Sequence, residues 1–429
     1  MINHLAGGLP LLIEQRPGPA ILAAQLVIRG GSGTDPSGGR GGHQVLAGLM
    51  TRGCGDLDAE ALADLVEGAG AALRAEAQED AMVLALKCAA TDAVDLLPLL
   101  IRMVRRPTLD VDQFELERQL NLQTLQRQRE DPLQLAHDQL RRQLYDDGPY
   151  GHDPLGIEGD LLALEPRTLK PLVASLGERG AVLVICGDPP EGTVALLERE
   201  LTLAPWNTAL PNPTVLEQIR PPQQRLACEQ QDTEQLVLML GTATVPLGHA
   251  DALALRLLQC HLGLGMSSRL FVTMREERGL AYDVGVHMPA RCGAAPWVMH
   301  LSTSAERAGE ATACLLDEWQ RLLETPLGET ERDLALAKFL GQEAMGRQTC
   351  GQIAERQALV LSHGLSENHI AGVLARAPEL SCGDLQAAAR RHLRIPCLSL
   401  VGPALALEAA TRAWHDHPLS LDPVEARPG

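Results

Sequence analysis

The sequence predicts an α+β protein made of two tandem domains of one design. Three observations carry that expectation. The length of 429 residues, at about 100 to 200 residues per domain, allows two to four domains with sizeable cores. One order of strand and helix patterns occurs twice along the chain. Corresponding strands at both ends of the repeat are separated by the same interval, about 214 residues.

Element by element, residues 21–29 alternate and carry β-branched side chains as a strand does, and the Gly-rich stretch GGSGTDPSGGRGG (30–42) follows. Apolar residues at helical spacing run over 43–52 and 58–68, and 82–89 reads as a strand. Then come a helix over 91–106, a long helix from 110 to 145 opening at Asp110, the loop DDGPYGHDPLG (146–156), a helix near 166–176 and an apolar strand at 181–188. The second half repeats this order. It has a strand at 236–243, helices near 249–264 and 267–279, strands near 281–288 and 297–303, a helix at 306–324, a long helix at 328–362, a helix at 382–392 and a strand at 397–402. Domains are expected at 1–206 and 225–429, joined by the Pro-, Asn- and Gln-rich linker 207–224, which has no helical stripe.

Composition excludes several classes. The net charge of −18 lacks the basic surplus that a phosphate backbone requires, so nucleic acid is not an expected partner. The first residues, MINHLAGGLPLLIEQRPGP, lack a basic head and an apolar run, and no stretch of about 18 apolar residues occurs, so the expectation is a cytoplasmic protein with no membrane partner. The ten cysteines form no C-x-x-C pair, which suits reduced, mostly buried thiols. The Gly-rich stretch 30–42 lacks the spacing of a phosphate loop and reads as a mobile, turn-rich connection. SSRL (267–270) reads as an N-cap opening a helix.

Four segments carry a family resemblance. They are VIRGGSGTDPSGGRGGHQVLAGLMTRGC (27–54), FELERQLNL in the long helix, GPYGHDPLG in the loop after it, and GMSSRLFVTMREERGLAYDV (265–284). Together they resemble the pitrilysin-type (M16, inverzincin) zinc peptidases, which include the mitochondrial processing peptidases, across nearly the whole chain. The resemblance implies two tandem α/β-sandwich domains of the processing-peptidase type. In that family H-x-x-E-H places two imidazoles on one helix face to hold Zn²⁺, with a Glu that activates the bound water. With Gly41 and Gly53 set on the family's flanking glycines, Gln44 and Gly48 stand where the two His belong, Ala47 where the base belongs and Thr124 where the third ligand belongs. Only Glu117, a supporting carboxylate in the family, remains. Register slippage does not help. The i+4 partner of His43 is Ala47, no carboxylate lies between 36 and 55, no two His stand at i,i+3 or i,i+4, and the second domain offers only His261 at the equivalent helix. His43 reads as a capping or solvated loop residue. Gln, Gly and Thr are poor replacements for His, His and Glu, so no metal and no catalytic residue of its own is expected in this chain.

Arg275 and Tyr282 match the family's substrate-facing pair. Without the family, Arg275 reads as part of a solvated helix face and Tyr282 as a ring at a strand start. With it, the resemblance implies that Arg275 holds a peptide carbonyl and that Tyr282 donates to the oxyanion formed on attack. The resemblance therefore implies a catalytically inactive subunit that pairs with a zinc-bearing H-x-x-E-H homologue as a heterodimer around an unfolded peptide. The alternative is a structural or peptide-binding homodimer of the same fold.

Overall fold

A computed structural model describes residues 2–212 and 222–421; the middle of the expected linker 207–224 lies outside the described residues. The first half runs β1 (Ile2–His4), β2 (Pro10–Gln15), β3 (Ile21–Arg29), α1 (Gly42–Met50), α2 (Ala59–Gly68), β4 (Ala72–Ala77), β5 (Ala81–Ala89), α3 (Ala93–Arg105), α4 (Val111–Gln128), α5 (Pro132–Tyr145), α6 (Glu158–Ala163), α7 (Leu169–Ser175), β6 (Ala181–Gly187) and α8 (Thr193–Leu203). The second runs β7 (Leu226–Gln230), β8 (Gln235–Ala243), α9 (Ala252–Gly263), a π-helical segment Phe271–Glu277, β9 (Val284–His287), β10 (Pro296–Ser304), α10 (Ala308–Glu324), α11 (Glu329–Met345), α12 (Cys350–Ser362), α13 (His369–Arg376), α14 (Cys382–His392), β11 (Cys397–Gly402) and α15 (Ala404–Asp416).

Two of the expected long helices are broken. Residues 110–145 divide into α4 and α5 because Pro132 cannot continue a helix, while the Asp131 side chain accepts from Leu133 N–H and starts a new one. Residues 328–362 divide into α11 and α12 at a capping box, where the Thr349 hydroxyl and the Gln352 side chain each accept a backbone N–H of the other residue. The breaks redirect both helices. The chain forms two compact units, and each takes one of these helices from the other half of the sequence: the first comprises Met1–Gln126, His152–Pro213 and Ala344–Ile370, the second Arg127–Gly151, Thr214–Glu343 and Ala371–Gly429.

In the first unit six strands lie in the order β1-β2-β6-β3-β5-β4, with only β2 and β6 parallel. Successive strand residues point to opposite faces. Leu22, Ala24, Leu26 and Ile28 of β3 face a core that includes Leu46, Leu49 and Met50 of α1 and Leu97, Leu100 and Met103 of α3. Ala23 and Val27, with Val182, Val184 and Cys186 of β6, face Ile353, Ala354, Ala358 and Leu361, the apolar stripe of α12. A sheet covered on both faces leaves no polar alternation, which explains why β3, β5 and β6 read as nearly continuous apolar runs.

The second unit follows the same plan with five strands, β7-β11-β8-β10-β9, of which only β7 and β11 are parallel. Leu236, Leu238 and Leu240 face one core, while Val237, Met239 and Val298 meet Ala136 and Leu140 of α5 on the other side. Trp297 and Trp319 pack edge to face at 5.2 Å in the first of these cores, and Trp319 Nε1 donates to Leu393 O at 2.8 Å.

Candidate functional site

The first unit brings the degenerate metal positions together on α1 and α4. Asp35, whose side chain is wholly buried, organises the start of α1: it accepts from Gly41 N (2.8 Å) and His43 N (3.2 Å), and pairs with His43 Nδ1 at 2.6 Å. Gly41 enters this turn at φ 99°, a conformation that strains other residues. The Gly-rich stretch is thereby a capping device for the helix, and His43 is one of its parts.

Beyond the cap, each former ligand position has another task. Gln44 Oε1 accepts the Ala77 N–H at 3.2 Å, at the end of the edge strand β4. Ala47 is buried in the core. Glu117 reaches across from α4 into the space beside Gly48, so that a Cβ at position 48 would lie 2.2 Å from Glu117 Oε2. Arg52, one turn beyond Gly48, donates through Nε to Glu117 Oε1 at 2.8 Å. Thr124 turns its hydroxyl back to Leu120 O at 2.9 Å and sits at an exposed position.

Zinc needs three convergent protein ligands with free lone pairs. Here one position has no side chain, one amide and one hydroxyl are engaged with backbone, and the single carboxylate is ion-paired to Arg52. The residues present do not fit a zinc ion. Replacing Gly48 by Ala is expected to push Glu117 off Arg52 and to lower unfolding stability by about 1 to 3 kcal/mol; urea unfolding of the variant checks this, and an unchanged midpoint would contradict the packing described.

The second unit positions the Arg and Tyr. After the π-helical segment the chain turns at Gly279, and Leu280 N and Ala281 N both donate to Met274 O, at 2.7 and 3.3 Å. That turn brings Tyr282 back over the helix. Arg275 Nη1 donates to Tyr282 O at 2.9 Å, and its guanidinium lies 4.4 Å from the Tyr282 ring centroid and 4.9 Å from that of Phe271. The cation is held between two rings, which restricts its rotamers, and Tyr282 is 80% exposed. The pair is therefore a preorganised set of surface donors suited to carbonyl and oxyanion oxygens.

Two other polar groups of this unit serve packing. His261 is buried with Nε2 at 3.9 Å from Glu331 Oε1, and burial lowers its pKa to about 4, so the ring is neutral near pH 7. His249, Asp251 and His392 bring possible ligand atoms within 4.8 Å of one another, but Arg391 and His392 already hold the Asp251 carboxylate and His249 Nδ1 accepts Asp251 N–H. This network fastens the C-terminal end of α14 to the start of α9. Sequence reasoning missed Arg52, Asp35 and Phe271. Arg52 had a legible signal, since it stands four residues after Gly48, in the turn that follows α1.

Known proteins place the chain. A family model described as Insulinase (Peptidase family M16) matches residues 11–156, and one described as Peptidase M16 inactive domain matches 178–339. The chain belongs to peptidase family M16. An uncharacterized zinc protease of Streptomyces coelicolor is 28% identical over 172 residues, a match that takes in 40% of this chain and 38% of that relative's length. A non-peptidase homolog of Helicobacter pylori is 21% identical over 373 residues, 86% of each chain. The crystal structure of a peptidase M16 inactive domain from Pseudomonas fluorescens shares the fold, with a TM-score of 0.85 at 22% identity, covering 94% of this chain and 98% of that one. Among the described residues no helix is long and apolar enough to cross a membrane. The chain is thus a peptidase-like M16 protein whose sequence contains no H-x-x-E-H.

Proposed function

We propose that this chain is the non-catalytic subunit of a two-subunit M16 peptidase, and that Arg275 and Tyr282 act on a peptide held at the metal centre of a zinc-bearing homologue. The observation that carries this reading is an asymmetry. In the first unit the space beside Gly48 is taken up by Glu117, which is paired with Arg52, whereas Arg275 and the exposed Tyr282 of the second unit are stacked and hydrogen-bonded. The Arg275 guanidinium would grip a peptide carbonyl with its outward N–H groups. The Tyr282 phenol would donate to the oxygen that gains charge on attack, the place where a positioned donor counts most. The substrate is an unfolded peptide, and no zinc resides in this chain.

Complementation tests the reading. The purified chain, a zinc-bearing M16 homologue from the same organism, and their mixture are assayed for cleavage of unfolded peptides. Cleavage by the mixture well above that of either component is the expected outcome. A mixture no faster than the homologue alone, with the chain remaining a homodimer on gel filtration, would favour a peptide-binding or structural homodimer instead.

A further inference from the structure

One pair among the ten cysteines combines contact with a built surrounding. Cys186 is fully buried on the face of β6 that packs against α12. Cys350 is the first residue of α12, half-buried and packed against the same cluster, and its thiol lies near enough to raise the pKa of Cys186. Three features pin the start of α12 at this place. The Thr349/Gln352 capping box fixes the first turn. Gly351 allows that turn to press on the sheet, since a Cβ there would lie 2.7 Å from Lys87 Cε of β5. Arg16, just beyond β2, donates to Arg347 O at 3.3 Å, and β2 pairs with β6 so that Glu14 stands opposite Cys186.

We propose that Cys186 and Cys350 form a redox-responsive disulfide site, closed by oxidants of the hydroperoxide class, that staples α12 to β6. Cys350 is the more exposed thiol and meets the oxidant first. Its sulfur takes the terminal oxygen of the hydroperoxide, the O–O bond breaks, and the corresponding alcohol or water leaves with the proton, giving a sulfenic acid. The Cys186 sulfur then displaces the hydroxyl from Cys350; the Cys186 proton leaves with it as water and the S–S bond forms. In sum two thiols and one hydroperoxide yield a disulfide, one alcohol or water, and one further water. A thiol reductant reverses the closure.

Burial and the neighbouring thiol push the Cys186 pKa up to about 12, which keeps it a neutral thiol until an oxidised partner is presented. Cys186 therefore does not react with the oxidant itself, and it gives up its proton only as the S–S bond forms. The staple would join strands of the N-terminal half of the sequence to a helix contributed by the C-terminal half, locking the exchange of helices on which the first unit is built.

The test uses the full chain as purified. It is treated with hydrogen peroxide, blocked with iodoacetamide under denaturing conditions, and mapped by mass spectrometry of non-reduced peptides, alongside Cys186→Ser and Cys350→Ser. The expected result is a linked pair of peptides containing residues 186 and 350, with the loss of two hydrogens, reversed by dithiothreitol and absent from both variants. The thermal midpoint of the oxidised wild type should rise by roughly 3 to 8 °C. Native chain that gives no 186–350 linkage after peroxide, or that links Cys350 to another cysteine, would overturn the proposal. The wild-type map alone decides this if a variant fails to fold, and no peptidase assay enters it.

Discussion

Tyr282→Phe is expected to lower turnover of the reconstituted peptidase by tenfold or more, and Arg275→Ala to do the same while also raising KM. The two effects differ because the two groups meet the substrate at different stages. A phenol that donates to an oxygen as it becomes an oxyanion contributes in the transition state and little in the ground state, so its removal appears in kcat. Single donors of this kind are worth about 3 kcal/mol. An arginine gripping a neutral carbonyl contributes before and during attack, so both constants move. Arg275 is also stacked on Tyr282 at 4.4 Å and bonded to its carbonyl, so the two variants should be less than additive when combined. The checks are steady-state kinetics on the mixture with an unfolded peptide, and the metal content of the partner, which neither change should alter. Full activity in both variants would remove this chain from the chemistry.

Acid should loosen the second unit, and the cause is a stripe of histidines beneath α5. His137 of α5 and His287 of β9 meet edge to face at 6.4 Å, and His300 of β10 lies on the same sheet face as Val298, which packs under α5. Burial comes first among the causes that lower all three pKa values, and that of His137 falls to about 3. The surroundings reinforce this. Arg141 on α5 donates to His137 Nδ1 at 3.2 Å, and Arg291 and Arg256 also oppose protonation, whereas Asp283, 3.9 Å from His300 Nε2, favours it. Asp138, on the same helix, lies 3.7 Å from Arg141.

The sign follows from which state takes up protons. Above about pH 6.5 the imidazoles are neutral in both states and contribute no pH dependence. Below it the unfolded chain binds protons that the folded chain refuses, so stability falls as pH drops from 6.5 toward 3. His137 alone accounts for on the order of 3 kcal/mol lost by pH 4. Urea midpoints measured from pH 7.5 down to pH 4.5 should fall steeply in the wild type and less steeply in His137→Phe, which removes the titrating group and keeps a ring against His287. Parallel curves would contradict the assignment.

Much of the fold was legible because burial imposes simple patterns. The central strands β3, β6, β8 and β11, covered on both faces, stood out as apolar runs, and their equal spacing exposed the duplication. Helices α6, α8, α13 and α15 and the peripheral strands β1, β2, β4 and β7 escaped notice. These strands are short and lie at or next to a sheet edge, and β4 and β7 are mostly exposed or half-buried. The exchanged helices were hidden for another reason. Nothing local in residues 132–145 or 350–362 says which sheet they cover, since that depends on contacts between residues hundreds of positions apart.

The candidate site divides in the same way. That Gln44, Ala47 and Gly48 offer neither an imidazole nor a carboxylate follows from residue types alone. That Glu117 fills the space above Gly48 and is neutralised by Arg52 required the helix packing. The juxtaposition of Arg275 with Tyr282 depends on a π-helical turn whose geometry has no simple sequence period, so the spacing of seven residues did not by itself bring them together.

The account stands most directly on metal content. The chain, purified without chelator, equilibrated with excess zinc and desalted, should carry no stoichiometric zinc by elemental analysis. A full equivalent of zinc that Glu117→Gln releases would show that the space between α1 and α4 still binds the ion, and would contradict the reading of this chain as a subunit without a hydrolytic centre.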